Sequence, residues 1–133
     1  MCDSYGKATI ITLEADLDSE ATCAYRRSYF RKVIEEVISQ HGRLDILVLN
    51  AGVNAHFHFG DLKEVEIYEK VMKTNFYANV YMAKHALPHL RKSTGHIVVI
   101  SSISGKFGLP DRSAYCASKF ALTGFFESLR TEE

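Results

Sequence analysis

Residues 44–49 read LDILVL and run directly into Asn50-Ala51-Gly52. A short, nearly continuous apolar run that ends at a glycine-containing loop is the pattern of a parallel strand covered on both faces. The pattern returns at residues 96–100 (HIVVI), ahead of Ser101-Ser102. A third run rich in β-branched residues, 8–13 (ATIITL), ends near Glu14 and Asp16 and also reads as a strand. Between the runs at 8–13 and 44–49, Asp18 or Ser19 can cap a helix on which Tyr29, Val33, Val37 and Ile38 recur until Gly42 stops it. Residues 50–60 read as loop. Residues 65–91 then carry Val71, Met72, Phe76, Val80, Ala83, Leu87 and Leu90 at helical spacing, with Pro88 near the end and Gly95 beyond it. Residues 114–129 predict the last helix, bearing Tyr115, Lys119, Leu122, Phe126 and Leu129. Strands alternating with helices imply an α/β chain with a parallel sheet and crossover connections. In such sheets ligands lie beyond the carboxyl ends of the strands. Asp16, Asn50-Ala51-Gly52 and Ser101-Ser102 all fall on that rim.

Composition narrows the class of function. The 133 residues are 47% hydrophobic and 24% charged, enough for one core. Sixteen basic residues balance sixteen acidic ones, so there is no electrostatic footprint for nucleic acid or an anionic membrane. No apolar run approaches the roughly 20 residues of a membrane helix, and residues 1–7 lack a signal-peptide core. Three widely spaced cysteines, Cys2, Cys23 and Cys116, fit neither a disulfide framework nor a zinc site, so a reducing, intracellular compartment is expected.

Tyr115 and Lys119 are four apart on a predicted helix and share one face. A tyrosine with an ordinary pKa near 10 is a poor proton-transfer group at neutrality. An ammonium within a few ångströms favours the phenolate, and such a pair can give or take a proton at a carbonyl or hydroxyl. Ser102, thirteen residues upstream at a strand end, is placed to hold the substrate oxygen beside the tyrosine. Each candidate also has a plainer reading. Tyr-x-x-x-Lys occurs on solvated helix faces, Asn75 can bond a neighbouring backbone group, Asp16 can cap a helix, and Gly52 can be a turn glycine. His56 and His58 lack a third ligand nearby and read as a solvated or substrate-facing loop, with no metal expected. Cys116 reads as a small packed residue, and Phe120, Phe125 and Phe126 as core or subunit interface.

Asn50-Ala51-Gly52, Asn75, Ile100-Ser101-Ser102 with Gly105, and Tyr115-Cys116-Ala117-Ser118-Lys119, in this order and spacing, resemble the short-chain dehydrogenase/reductase family from about residue 8 onward. The resemblance implies a partial Rossmann-like, doubly wound parallel sheet made of that fold's strands 3, 4 and 5 with their helices. It implies an oxidoreductase that interconverts a ketone and a secondary alcohol with NAD or NADP. Tyr115 would be the acid–base group, Ser102 the stabiliser of the substrate oxygen, and Lys119 the partner of both the tyrosine and the nicotinamide ribose. Asn75 would position a water that links Lys119 to solvent. Asp16 and Leu17 would lie at the adenine, and Asn50, Ala51 and Gly52 along the cofactor. Residues 95–130 look like members that act on steroid- or lipid-like alcohols, which favours NADP. The last two helices are those through which many members form homo-oligomers, and some lipid-alcohol members associate with the endoplasmic-reticulum membrane rather than staying cytoplasmic.

The sequence departs from the family pattern in several places. The Gly-rich turn T-G-x-x-x-G-x-G that holds the pyrophosphate does not occur in these residues, and Gly105 and Gly108 lie instead in the loop before the last helix. Leu49 stands where many members carry asparagine, and the interval from Asp16 to Asn50 is longer than usual. The segment that covers the substrate follows the last helix in the family and is not expected within these residues. The expectation is therefore the central part of one dinucleotide-binding domain, inactive and poorly stable as an isolated chain. A second reading is a catalytically inactive truncated member acting at most through a subunit interface. A third, a sugar-nucleotide epimerase, shares Tyr-x-x-x-Lys, but the Asn-Ala-Gly loop, Asn75 and the Ser102–Tyr115 interval favour the reductase.

Overall fold

The computed structural model describes residues 23–133. Along them run helix α1 (Cys23–His41), strand β1 (Ile46–Leu49), helix α2 (Glu66–Met72), a π-helical segment (Lys73–Tyr77), helix α3 (Ala78–Ser93), strand β2 (His96–Val99) and helix α4 (Ser113–Glu132). Single 3₁₀ turns sit at Phe59–Asp61 and Ile103–Gly105. The expected strand at residues 8–13, and the candidates Asp16 and Leu17, lie outside the described residues.

β1 and β2 pair in parallel, with Ile46 opposite His96 and Leu49 opposite Val99. Backbone bonds from His96 N to Asp45 O and from Ile100 N to Leu49 O, both 2.9 Å, continue the ladder at either end. Leu47 and Leu49 are buried with Ile34, Ala83, Ala86 and Leu90. The expectation of cover on both faces is met on one only. Ile46 and Val48 point away from the helices and are 59% and 57% exposed, because no described residues pack over that face. The outer edge of β2 borders an open groove of about 910 Å³, lined in part by Leu90, Ile97, Val99, Leu122 and Phe126.

α1 turns Phe30 and Ile34 inward, one residue beyond the expected Tyr29 and Val33, which are only half-buried. Phe30 stacks on Tyr81 of α3, with centroids 5.7 Å apart. Gly42 closes the helix at φ 75°, donating to Ile38 O at 2.8 Å. A left-handed residue after a helix favours glycine, as the sequence suggested.

The single helix expected over residues 65–91 is interrupted. The π-helical segment inserts one extra residue per turn, which rotates the inward face. Val71, Ala83 and Leu90 are buried as the apolar spacing implied, but Met72, Phe76, Val80 and Leu87 are only partly so. Thr74, Asn75, Ala78 and Asn79 take the interior positions instead.

Gly95 stops α3 for a reason other than its backbone freedom. The left-handed residue is Thr94, at φ 56°, while Gly95 N bonds Leu90 O at 2.8 Å and Thr94 N reaches Arg91 O at 3.4 Å. This is a Schellman arrangement with a β-branched residue in the glycine position. Gly95 itself crosses so close to β1 that a Cβ would overlap the Asp45 carbonyl oxygen and stand 2.8 Å from Leu90 Cδ2. Thr94→Gly should therefore stabilise the protein by about 1 kcal/mol, whereas Gly95→Ala should destabilise it by about 2 kcal/mol or more. Denaturant unfolding of both variants checks this, and a reversed order would mean that neither the strain at Thr94 nor the crowding at Gly95 governs the end of α3.

Candidate functional site

The site forms where β1 and β2 end. Asn50, Ala51 and Gly52 leave β1 exposed to solvent, and Ile100, Ser101 and Ser102 leave β2 beside them. α4 runs past both ends with Ala114, Ser118 and Leu122 buried at four-residue intervals and Lys119 next to them.

Lys119 is 4% exposed despite its charge. Its Nζ donates to Ile100 O at 3.0 Å and lies 5.7 Å from the centre of the Tyr115 ring. Burial pushes its pKa below the ordinary 10.5. An ammonium has three donors, so two remain for other acceptors. Tyr115 is half-buried one turn earlier.

Asn75 is fully buried by the π-helical segment. Its Oδ1 accepts from Val53 N at 2.7 Å, and its Nδ2 donates to Val53 O at 2.9 Å and to Ser118 Oγ at 3.0 Å. Its main-chain carbonyl accepts from Asn79 Nδ2 at 2.7 Å. Both amide hydrogens are thus committed to protein groups, and of the side-chain atoms only Oδ1 keeps a spare lone pair. Gly52 lies against this group. A Cβ there would sit 3.3 Å from Asn75 Oδ1 and 3.8 Å from Lys119 Nζ. The missing side chain leaves the rim of the loop flat and open above the lysine.

Ser102 caps the turn Ile103–Gly105, its Oγ accepting from Ser104 N at 3.1 Å. Accepting there leaves the hydroxyl hydrogen available to a substrate oxygen. Gly105 permits this turn to rest directly on α4, because a Cβ would stand 2.8 Å from Ser101 Oγ and from Thr123 Oγ1, and 2.9 Å from Lys119 O. Ser101 bonds Thr123 at 3.0 Å and so holds the loop rather than facing the site.

A second tie fixes the start of α4. Tyr68 OH and Ser113 Oγ are 2.6 Å apart, and Phe57 N donates to the carbonyl of Asp111, at 2.8 Å. Asp111 holds φ 56° to present that carbonyl. Neither tie was visible in the sequence, since partners 45 and 54 residues apart carry no spacing signal. Ser118 was also missed as a functional residue, although its place three residues after Tyr115 on the buried line of α4 was there to read. Cys116 is buried, its Sγ accepting from Leu109 N at 3.4 Å, as expected of a packed thiol. His56 and His58 are exposed, and among the described residues no three His, Cys, Asp or Glu side chains could hold a metal.

A parallel pair of strands with a Tyr–Lys helix laid across its ends defines a class of α/β proteins with a candidate site at the strand ends, and comparisons with known proteins narrow it. Residues 4–133 match the family described as short chain dehydrogenase. The chain belongs to that family. It is 38% identical over 127 residues to 11-beta-hydroxysteroid dehydrogenase A of Sesamum indicum, covering 96% of this chain and 34% of the relative. It is 39% identical over 127 residues to 11-beta-hydroxysteroid dehydrogenase-like 2 of Arabidopsis thaliana, covering 96% and 39%. The chain thus spans a little over a third of the length of these relatives. Among solved structures, the ligand-free aldohexose dehydrogenase of Thermoplasma acidophilum superposes with a TM-score of 0.82 at 23% identity, over 96% of this chain and 48% of that one. A short chain dehydrogenase of Shigella flexneri complexed with NADP gives 0.78 at 28% identity, over 89% and 48%.

Burial of Lys119 makes stability depend on pH. Between its lowered pKa and 10.5 the unfolded chain holds more of this proton than the folded one, so stability rises with pH across that window. Lys119→Met keeps the stem and removes the titration. The stability of wild type relative to Lys119→Met, followed by thermal unfolding, should increase as pH is raised toward 10.5; a difference that stays flat would show that the ammonium is not penalised by its surroundings.

Proposed function

We propose that this chain is the central part of an NAD(P)-dependent oxidoreductase that interconverts a ketone and a secondary alcohol. The observation that carries this reading is Lys119: a buried ammonium with one backbone acceptor, beneath the Tyr115 ring and against the open side of Gly52. Its two remaining donors suit the hydroxyls of a ribose, and the flat Asn50-Ala51-Gly52 rim suits a cofactor lying across it. A nicotinamide bound there supplies the hydride, and the protein supplies orientation and the proton.

In the proposed reaction Tyr115 gives its phenolic proton to the carbonyl oxygen during reduction and takes it back during oxidation. Ser102 donates its free hydroxyl hydrogen to the same oxygen, stabilising charge that develops on it. Lys119 keeps a positive charge beside the phenol and replenishes its proton. Asn75 holds the loop that carries Gly52, and the lone pair left on its Oδ1 is the one atom of its amide that could orient a water connecting Lys119 to solvent.

The names of the steroid dehydrogenase relatives support a steroid- or lipid-like alcohol as substrate. Ile103 and Phe107, one and five residues after Ser102 and 65% and 64% exposed, offer apolar surface there. The NADP complex of the Shigella protein supports NADP over NAD. Exposed Tyr77 and Phe120, on the π-helical segment and α4, support a homo-oligomer formed through the last two helices. The uncovered sheet face, the groove beside β2 and the relatives' length support a larger sheet around the two described strands.

The test is Tyr115→Phe in the protein at the full length its gene encodes. Phenylalanine keeps the ring against Lys119 and removes only the proton. NAD(P)-linked turnover should fall by more than about a thousandfold, while cofactor affinity measured by titration changes by less than about threefold. Turnover within tenfold of wild type would falsify the assignment.

A further inference from the structure

Ser118 is fully buried and belongs to no step of the reaction above. A serine hydroxyl has one hydrogen, and here it is donated to Tyr115 O at 2.7 Å. The oxygen can then only accept, and it accepts from Asn75 Nδ2 at 3.0 Å. This fixes which end of the Asn75 amide carries nitrogen. Val53 demands the same orientation independently, since its N–H needs the Oδ1 acceptor and its carbonyl needs an N–H. The result is a continuous chain of bonds: the backbone of Val53, the Asn75 amide, the Ser118 hydroxyl and the Tyr115 carbonyl. One end is the residue after Gly52, and the other is the backbone of the proposed acid–base residue.

We infer that Ser118 is a positioning residue that locks the Asn75 amide and so fixes the Asn50–Val53 loop in register with the helix carrying Tyr115. This rests on reading the site as a nicotinamide-linked one. Removing the hydroxyl leaves one hydrogen of a buried amide without a partner. Rotating the amide cannot relieve this, because it would set Nδ2 against Val53 N–H and Oδ1 against Val53 O. The docked loop is then easier to open, while Tyr115, Lys119 and Ser102 keep their own contacts. The effect therefore falls on cofactor binding rather than on proton transfer.

In the full-length protein, Ser118→Ala should raise KM for NAD(P) about tenfold with kcat within about threefold, and should speed hydrogen exchange at the Val53 amide by a similar factor. Asn75→Ala combined with Ser118→Ala should be no worse in KM than Asn75→Ala alone, because both act through one bond. Ser118→Cys, close in volume and a weaker acceptor, should fall between wild type and alanine, and serves if the alanine variant does not fold. Ser128→Ala, an exposed serine on the same helix, should match wild type. Unchanged Val53 exchange and KM in an active protein, or additive effects in the double variant, overturn the role of Ser118 alone. A wild type without NAD(P)-linked turnover overturns the underlying reading and the functional role with it, and the Val53 exchange then reports separately whether the lock exists.

Discussion

The Asn75 side chain is enclosed in the middle of a helix, and each donor or acceptor of an enclosed amide left unmatched destabilises a fold by about 1–3 kcal/mol. Its partners are supplied by the backbone of the β1 loop and by α4, so three elements distant in sequence are required to meet at one point. A regular α-helix through residues 66–93 would continue the apolar stripe and turn Asn75 differently. The π-helical segment turns Asn75 and Asn79 inward, and Asn79 then bonds the Asn75 carbonyl. The irregularity in the helix and the buried polar cluster are two sides of one arrangement.

Lys119 imposes the complementary demand. A desolvated ammonium next to the Asn75–Gly52 contact needs strong acceptors, and the Ile100 carbonyl at the end of β2 is one. Gly105 removes a side chain that would hold its turn away from α4, and Gly52 leaves room beside Asn75 Oδ1 and the Lys119 ammonium. Gly105 meets the main chain of this lysine and Gly52 its ammonium end.

Much of this was legible from local patterns. The apolar runs at residues 44–49 and 96–100 gave both described strands, trimmed by a residue or two, and the four-residue interval gave the Tyr115–Lys119 pairing. Such features depend on neighbours along the chain. What was not legible depends on neighbours across it. Apolar spacing cannot announce an extra residue in a helical turn, so it implies interior places for Phe76 and Val80 that Asn75 and Asn79 hold. Gly95 looked like a conformational stop, but its requirement comes from the Asp45 carbonyl fifty residues earlier. The strand composition implied cover on two faces, whereas what packs on Ile46 and Val48 is a question of partners, not of their own sequence.

The parallel register explains why the site assembles where it does. Pairing Leu49 with Val99 brings residues 50 and 100 abreast, so the two loops must leave the sheet side by side. An antiparallel pair would send them to opposite ends. Once abreast, one helix is enough to touch both: α4 offers Lys119 to the carbonyl of Ile100 and Ser118 to the Asn75 that holds Val53. Adjacent residues on a helix point about 100° apart. That divergence lets Lys119 reach the Ile100 carbonyl while Ser118 reaches the amide holding the β1 loop. Adjacent positions on one turn of α4 thus serve both strand ends, Ser118 through Asn75 and Lys119 directly.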